Sequence, residues 1–568
     1  VVDEAAPAPS RSSREAFARI QSKLVPRMPT DRLMGWLLPL VVAALGGVAR
    51  FWRITRPGGQ SLTQHKNLVF DEVYYAHDSW SMLHHGVEVQ ANAKGVESPE
   101  FVVHPPLGKW MMAVGEALFD HGRQIVFHSA SAQTSFPASP LSFRFTGALL
   151  GTLSILIVAR VARRMFRSTA LGVIAGALLS LDGLEFVQSR TAMLDIYLMF
   201  WVLAAFACLV ADRDFGRRRL AERLTAPLGR HEWGPSLGFR PWRLGAGICL
   251  GAACATKWDG AYYIPAFLIL AIAWDVGARR TAGARSDGIH WESIDLWLVG
   301  RSTWSVVAPM LLFFLVVPAA VYVASWTGWF MSNAHYAYDH DRYVHPGQSW
   351  ISHDWAVLRG WGYYQHEIWH YANQLTWDNN PHPYLSRPYG WLLLARPVAY
   401  YYQSPPTGCG ASACSQEVLG IGNPAIWWAS IPALLAVGWS WLSRRDWRAA
   451  AILLMFLFGY LPWFHEDMKH RVMFLFYMLP NVPFMVLAVT MLIGMALAKW
   501  STASIRGWIT ASTVGIYLAT VVVLFGFFYP LLSARNISTE DWNKRIWFKT
   551  CQVKPDLNEH HENAPCWI

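Results

Sequence analysis

Long apolar runs separated by short basic turns dominate this chain. Runs near twenty residues fall at 33–52, 142–159, 169–187, 191–210, 244–258, 261–277, 304–326, 424–442, 449–464, 472–498 and 508–530. Each is long enough to carry a helix across about 30 Å of hydrocarbon. The pattern predicts eleven membrane-spanning helices. The pairs 169–187/191–210 and 244–258/261–277 are each joined by a very short polar turn, which makes their boundaries the softest. Within the polar stretch 53–141, Leu107, Trp110, Met111, Val114 and Leu118 recur at helical spacing opposite Lys109 and Glu116. That stripe predicts an amphipathic helix too short to span, lying in the membrane interface. Leu392 to Tyr402 reads the same way.

Charge gives the array a direction. Arg160, Arg163, Arg164 and Arg167 form one cluster, and residues 213–243 hold eight arginines. Further clusters are Arg279, Arg280 and Arg285, then Arg444, Arg445 and Arg448, then Lys499 and Arg506. With the amino terminus inside and eleven crossings, every cluster falls on the cytoplasmic side, as the preference of Lys and Arg for cytoplasmic loops requires. Residues 1–32, with Arg11, Arg14, Arg19, Lys23, Arg27 and Arg32, read as a cytoplasmic tail before a first span that doubles as the export signal. The long loops 53–141 and 327–423 and the tail 531–568 then lie outside, around a membrane domain of residues 33–530.

Composition agrees. The chain is 53% hydrophobic and 15% charged, with 31 tryptophans in 568 residues, against about 25% charged for soluble domains. The net charge of +10 resides in the inter-span clusters and not in a basic stripe on a soluble module, which argues against nucleic acid as a partner. Cys409, Cys414, Cys551 and Cys566 fall in external segments, where two disulfides are permitted. None of the four forms a C-x-x-C unit.

Candidate chemistry gathers on the external side. Asp71 and Glu72 are adjacent, and on a helix they diverge by about 100°, so one can face a pocket while the other holds structure. The junction Leu181–Asp195 carries Asp182, Glu185, Gln188, Arg190 and Asp195. Asp182 and Glu185 share a helix face, and Arg190 is placed to pair with either. Arg144, Lys257, His470 and Arg471 stand at external helix ends, where cations run against the charge rule and would suit a phosphate. His366-Glu367-Ile368-Trp369-His370 is a literal H-E-x-x-H. It lacks the spaced third ligand of a catalytic zinc site, and no metal is expected.

Taken in order, Phe70-Asp71-Glu72-Val73, His104-Pro105-Pro106-Leu107-Gly108-Lys109, the Leu181–Asp195 block, Thr256-Lys257-Trp258, His382-Pro383-Tyr384, Arg396-Pro397, Gly422-Asn423-Pro424 and His470-Arg471-Val472 resemble the protein O-mannosyltransferases, in their bacterial, actinobacterial form. The likeness covers most of the chain. It implies an all-α polytopic membrane protein of the GT-C glycosyltransferase fold. The implied reaction is inverting transfer of mannose from polyprenyl-phosphate-mannose, a co-substrate rather than a cofactor, to Ser or Thr of secreted or membrane proteins. The site would face the extracytoplasmic side of the plasma membrane. Asp71 is the implied base, with Glu72 supporting the pocket. Arg144, Asp182, Gln188, Arg190, Asp195, Lys257, His104, His382, His470 and Arg471 are the candidates for donor and substrate contacts. Eukaryotic relatives insert a β-trefoil domain in the second external loop, and residues 327–423 are too few to hold one. Docking on the protein export channel is left open. A GT-C enzyme acting on a lipid or cell-wall glycan is the main alternative. A transporter is disfavoured, because the halves show no evident repeat.

Overall fold

The computed structural model describes residues 11–25, 27–58, 67–92, 94–120, 124–128, 132–229, 232–284, 308–405, 407–498 and 504–548. In hydrocarbon a chain satisfies its backbone as helix. Among the described residues nine helices are long and apolar enough to cross a membrane: Met34–Phe51, Pro140–Phe166, Leu194–Arg223, Trp258–Thr281, Ala308–Ser325, Pro424–Arg444, Trp447–Met468, Leu475–Leu497 and Ile505–Leu532. The chain is a mostly helical polytopic membrane protein. The two other predicted spans are also helical but shorter. Thr169–Ser180 has 12 residues and Pro241–Thr256 has 16. The first stops where Asp182 caps a new helix, Gly183–Gln188, by accepting the Glu185 N–H. The second stops where Lys257 turns extended, at φ −148° and ψ 141°.

The predicted basic clusters converge at one end of the bundle. Arg163 pairs with Asp31, Arg164 with Asp214, and Arg240 and Arg243 with Asp212 and Asp275. The amino-terminal helix Arg11–Leu24 docks there, with Leu24 buried among Leu220, Leu224 and Ala278. Arg230, Arg285 and Lys499 lie outside the described residues.

Two expectations for the opposite end need correction. It is not all helix. Strands β1 (Val89–Asn92), β2 (Glu97–Pro99), β3 (Gln124–His128) and β4 (Ala132–Pro137) form an antiparallel sheet of order β2-β1-β4-β3. The interfacial helix expected at Leu392–Tyr402 is replaced by the turn holding Leu394 and Arg396 at φ 60° and 54°, followed by strand β5 (Val398–Gln403). Its β-branched and aromatic run favours a pleated, half-buried surface. β5 pairs with β6 (Cys414–Gly420), and β6 with β7 (Ile537–Ser538), which stitches the carboxyl-terminal segment to the second long loop. Cys409 and Cys414 form a disulfide. Cys551 and Cys566 lie outside the described residues.

The helix Leu107–Phe119 forms as expected, with Val114 and Leu118 exposed. Its charged face, however, points inward. Glu116 accepts the Ser79 hydroxyl at 2.7 Å, and Lys109 is wholly buried against Glu88 and Asp78. Gly115 lets this helix touch the neighbouring span, since a Cβ there would sit 2.2 Å from the Ser142 carbonyl oxygen. Gly115→Ala is therefore expected to destabilise the protein by about 1–3 kcal/mol, read as a lowered thermal midpoint in detergent.

Candidate active site

Phe70 sets the geometry. It adopts the left-handed backbone, φ 47°, uncommon for a side chain with a Cβ. Its N–H donates to the Tyr400 carbonyl at 3.2 Å, and its ring packs 5.1 Å from Tyr400 and 6.0 Å from both Phe474 and Phe476. The helix Glu72–His85 starts from this clamp, and the two carboxylates part as their helical offset demands. Glu72 turns inward with no exposed surface. It accepts Arg144 Nε at 2.7 Å and Nη2 at 2.6 Å, and also the N–H groups of Val69 at 2.8 Å and Ala192 at 2.9 Å.

Asp71 faces a different set of groups. Burial pushes its carboxyl up to about 7, with Asp195 adding to the rise while Lys257 and a hydrogen bond from Tyr75 pull against it. Lys257 projects from the break after Thr256 and donates to Asp195 Oδ1 at 2.9 Å. Its ammonium lies 3.8 Å from Asp259 and 4.7 Å over the Tyr477 ring. Burial opposes the charge on Lys257, but Asp195 and Asp259 outweigh it and hold the amine above its ordinary value. Burial likewise opposes Arg471, and Tyr477 and Asp259 more than compensate. His104, its ring 6.0 Å from Tyr75, is driven well down by burial and by the charges of Lys257, Lys109 and Arg471. A neutral imidazole, one poised carboxyl and two firmly cationic groups therefore share an electrostatic neighbourhood.

Distant motifs meet to build it. The Val472 N–H donates to Leu375 O at 2.9 Å and the Trp377 N–H to His470 O at 2.8 Å, tying the approach to His382-Pro383-Tyr384 onto His470-Arg471-Val472. His382 stands edge-on to Phe474 at 4.9 Å, and burial lowers its pKa. His470 points away, exposed, stacked on Trp377 and 2.9 Å from Asp378.

Other candidates make their contacts elsewhere. Arg144, besides Glu72, donates to the carbonyls of Ile54 and Arg56. Asp182 accepts from Glu185 N, Asn423 N and Trp427 Nε1. Gln188 donates to the Tyr400 hydroxyl at 2.6 Å. Arg190 pairs with neither Asp182 nor Glu185. It caps the first span by donating to the carbonyls of Ala49, Arg50, Trp52 and Arg53, and Glu185 is instead neutralised by Arg50 from that span. Tyr75, Asp259, Tyr400 and Tyr477 are site residues that the pattern did not single out. Tyr75, Asp259 and Tyr477 follow Asp71, Lys257 and Arg471 by two to six residues, and that proximity was the available signal; Tyr400 carried none.

For metal, His366 and His370 lie exposed on the helix Trp350–Gln374, their rings stacked 6.3 Å apart. A closer set of ligand types, His77, Asp78 and Glu100, has atoms within 4.8 Å of one another. The Lys109 ammonium already stands 3.5 Å from Asp78 and supplies a cation there.

The chain belongs to the family described as dolichyl-phosphate-mannose-protein mannosyltransferase, which matches residues 41–332. The C-terminal four-transmembrane region of protein O-mannosyltransferase matches residues 357–551. A polyprenol-phosphate-mannose–protein mannosyltransferase of Mycolicibacterium smegmatis is 36% identical over 526 residues, covering 91% of this chain and 93% of the relative. One from Mycobacterium tuberculosis is 37% identical over 532 residues, covering 91% and 92%. Among solved structures, the Saccharomyces cerevisiae protein O-mannosyltransferase Pmt1-Pmt2 complex bound to the sugar donor has the same fold. It superposes with a TM-score of 0.65 at 15% identity, covering 95% of each chain.

Proposed function

We propose that the protein transfers mannose, with inversion, from polyprenyl-phosphate-mannose to Ser or Thr hydroxyls of secreted or membrane polypeptides. The observation that carries this reading is the half-buried Asp71 carboxyl within electrostatic reach of Lys257. The acceptor hydroxyl attacks the anomeric carbon as the bond from that carbon to the phosphate oxygen breaks. The hydroxyl proton passes to Asp71, and the phosphate leaves with the bonding electrons. A base is most effective when its pKa lies near ambient pH, and burial has placed Asp71 there. Lys257 and Arg471 are the phosphate contacts, because cations aimed at a departing anion stabilise the charge that develops in the transition state. Asp195 and Asp259 keep Lys257 charged. His104 and His382, held neutral, suit hydrogen bonds to sugar hydroxyls. Glu72 and Arg144 position Asp71 without meeting substrate.

The architecture supports the same reading. Counting Thr169–Gln188 and Pro241–Thr256 with the nine long helices gives the eleven crossings of a GT-C enzyme. The amino terminus is then cytoplasmic, the basic layer faces inward, and the site opens outside a multi-pass plasma-membrane protein. Residues 1–32, 33–530 and 531–568 divide as tail, membrane catalytic domain and external tail.

The pH profile tests the assignment. Asp71 must be ionised to accept a proton, so kcat/KM should rise with pH through an apparent pKa near 7. Lys257 lowers that pKa; Lys257→Met should move the rising limb to higher pH by about one unit and raise the KM for donor. A limb that stays in place would separate Lys257 from Asp71.

A further inference from the structure

A second cationic site lies on the same side of the bundle, built from residues the proposed reaction does not use. Trp52, Arg53, Arg56, Arg190, Tyr529, Ser533 and Arg535 line a cavity of about 260 Å³ between the ends of the first and last spans. Four guanidinium groups share it, and among the described residues none of the four has a carboxylate partner within ion-pairing distance. Arg50, Arg144, Arg163, Arg240 and Arg243, by contrast, each face an acid.

The four are held together against their mutual repulsion. Arg190 forms the floor, 4% exposed, and its Nη groups donate to the carbonyls of Ala49, Arg50, Trp52 and Arg53. Arg53 takes the left-handed backbone at φ 54°, its carbonyl fixed by Arg190 at 3.1 Å. Non-glycine residues in that region persist where surrounding contacts over-determine them, and such strain gathers at ligand clamps. Arg53, Arg56 and Arg535 form the rim. Burial and then the facing charge of Arg53 depress the Arg56 guanidinium, with Arg535 adding to the effect. An anion would relieve that repulsion. The planar guanidinium fork matches phosphate oxygens in two-point contacts, and the Ser533 and Tyr529 side chains stand at the wall. Trp52, 59% exposed, and the exposed Val48 and Leu45 on the turns behind it run from the rim along the first span, an apolar track beside a phosphate seat.

We propose that this pocket is a phosphate-anion site distinct from the donor site, seating an anionic lipid headgroup or free phosphate on Arg53, Arg56 and Arg535. It does not depend on the role assigned to Asp71. Its occupation would bear on that role, because Arg144 holds the carbonyls of Ile54 and Arg56 at 3.0 and 2.9 Å with one nitrogen and Glu72 with the others. Fixing the turn 53–56 therefore fixes the anchor of the Asp71 segment.

The test uses the full chain purified in detergent, as wild type and as R53Q/R535Q. Both side chains are exposed and make no hydrogen bond that folding would miss, and equal lipid-free thermal midpoints of the two proteins confirm that. Binding of phosphatidylglycerol, phosphatidylcholine and inorganic phosphate is then measured by native mass spectrometry and thermal shift. The expected result is one retained phosphatidylglycerol on the wild type, not matched by phosphatidylcholine, with affinity about tenfold lower in the double variant. Displacement of that lipid by millimolar phosphate assigns the seat to a free anion, and failure to displace it assigns the seat to a lipid headgroup. Undiminished phosphatidylglycerol and phosphate binding by R53Q/R535Q overturns the proposal. So does a wild type that binds neither phosphate nor phosphatidylglycerol in preference to phosphatidylcholine.

Discussion

Asp71→Asn is expected to reduce mannosyl transfer by about three orders of magnitude or more, in line with the 10²–10⁴-fold that a positioned general base contributes. Asparagine keeps the shape and cannot take the hydroxyl proton. Donor affinity should change little, since Lys257 and Arg471 remain. Stability supplies a second, opposite readout. The carboxyl is raised from 3.8 to about 7 in the folded protein, so the folded state binds more protons than the unfolded state between those values. Stability contributed by this group falls as pH rises through that window and stays low above it. Asp71→Asn removes the penalty, and its thermal midpoint at pH 7.5 should match or exceed the wild type. Transfer at the wild-type rate would take Asp71 out of the reaction. A large drop in midpoint would make it a structural residue.

Arg144→Ala carries the largest expected stability effect. It strands the fully buried Glu72 carboxylate, and breaking a buried pair by deleting one partner costs about 3–5 kcal/mol. Truncation also frees the carbonyls of Ile54 and Arg56. Glu72→Leu combined with Arg144→Met should recover part of the stability, because apolar replacement of a whole buried pair is often tolerated. It should not recover activity, since Val69 and Ala192 lose their acceptor and Asp71 its placement. Thermal unfolding and transfer assays on the two single variants and the double variant measure the coupling. Arg144→Ala that folds at the wild-type midpoint and only raises the KM for donor would return Arg144 to the phosphate site.

These expectations show what was legible in the residues alone. Apolar run length gave the long helices, because hydrocarbon thickness imposes it directly. The offset between neighbours on a helix correctly separated Asp71 from Glu72, but spacing could not say which of them turns inward. That choice is made by Arg144 and by the Ala192 N–H, 72 and 120 residues away. Arg190 next to Glu185 looked like a local pair, yet Arg50 from the first span reaches Glu185 instead. Sequence proximity says little about pairing once helices pack side by side. Lys109 and Glu116 marked the polar face of an amphipathic helix, but spacing alone does not say where that face points. In a protein whose outer surface faces lipid, the charged face turns inward to Asp78, Glu88 and Ser79. The strand at Val398–Gln403 was missed because an apolar, aromatic stretch suits either an interfacial helix or a buried strand.

The most direct measurement of the account is the product itself. Purified enzyme is given polyprenyl-phosphate-mannose and a Ser/Thr-rich peptide, and the linkage and anomeric configuration of the new glycoside are read by NMR. The account predicts mannosyl-Ser or mannosyl-Thr of anomeric configuration opposite to the donor, formed by the wild type and absent with Asp71→Asn. A product retaining the donor's configuration, or mannose appearing on a glycolipid with none on peptide, would contradict it.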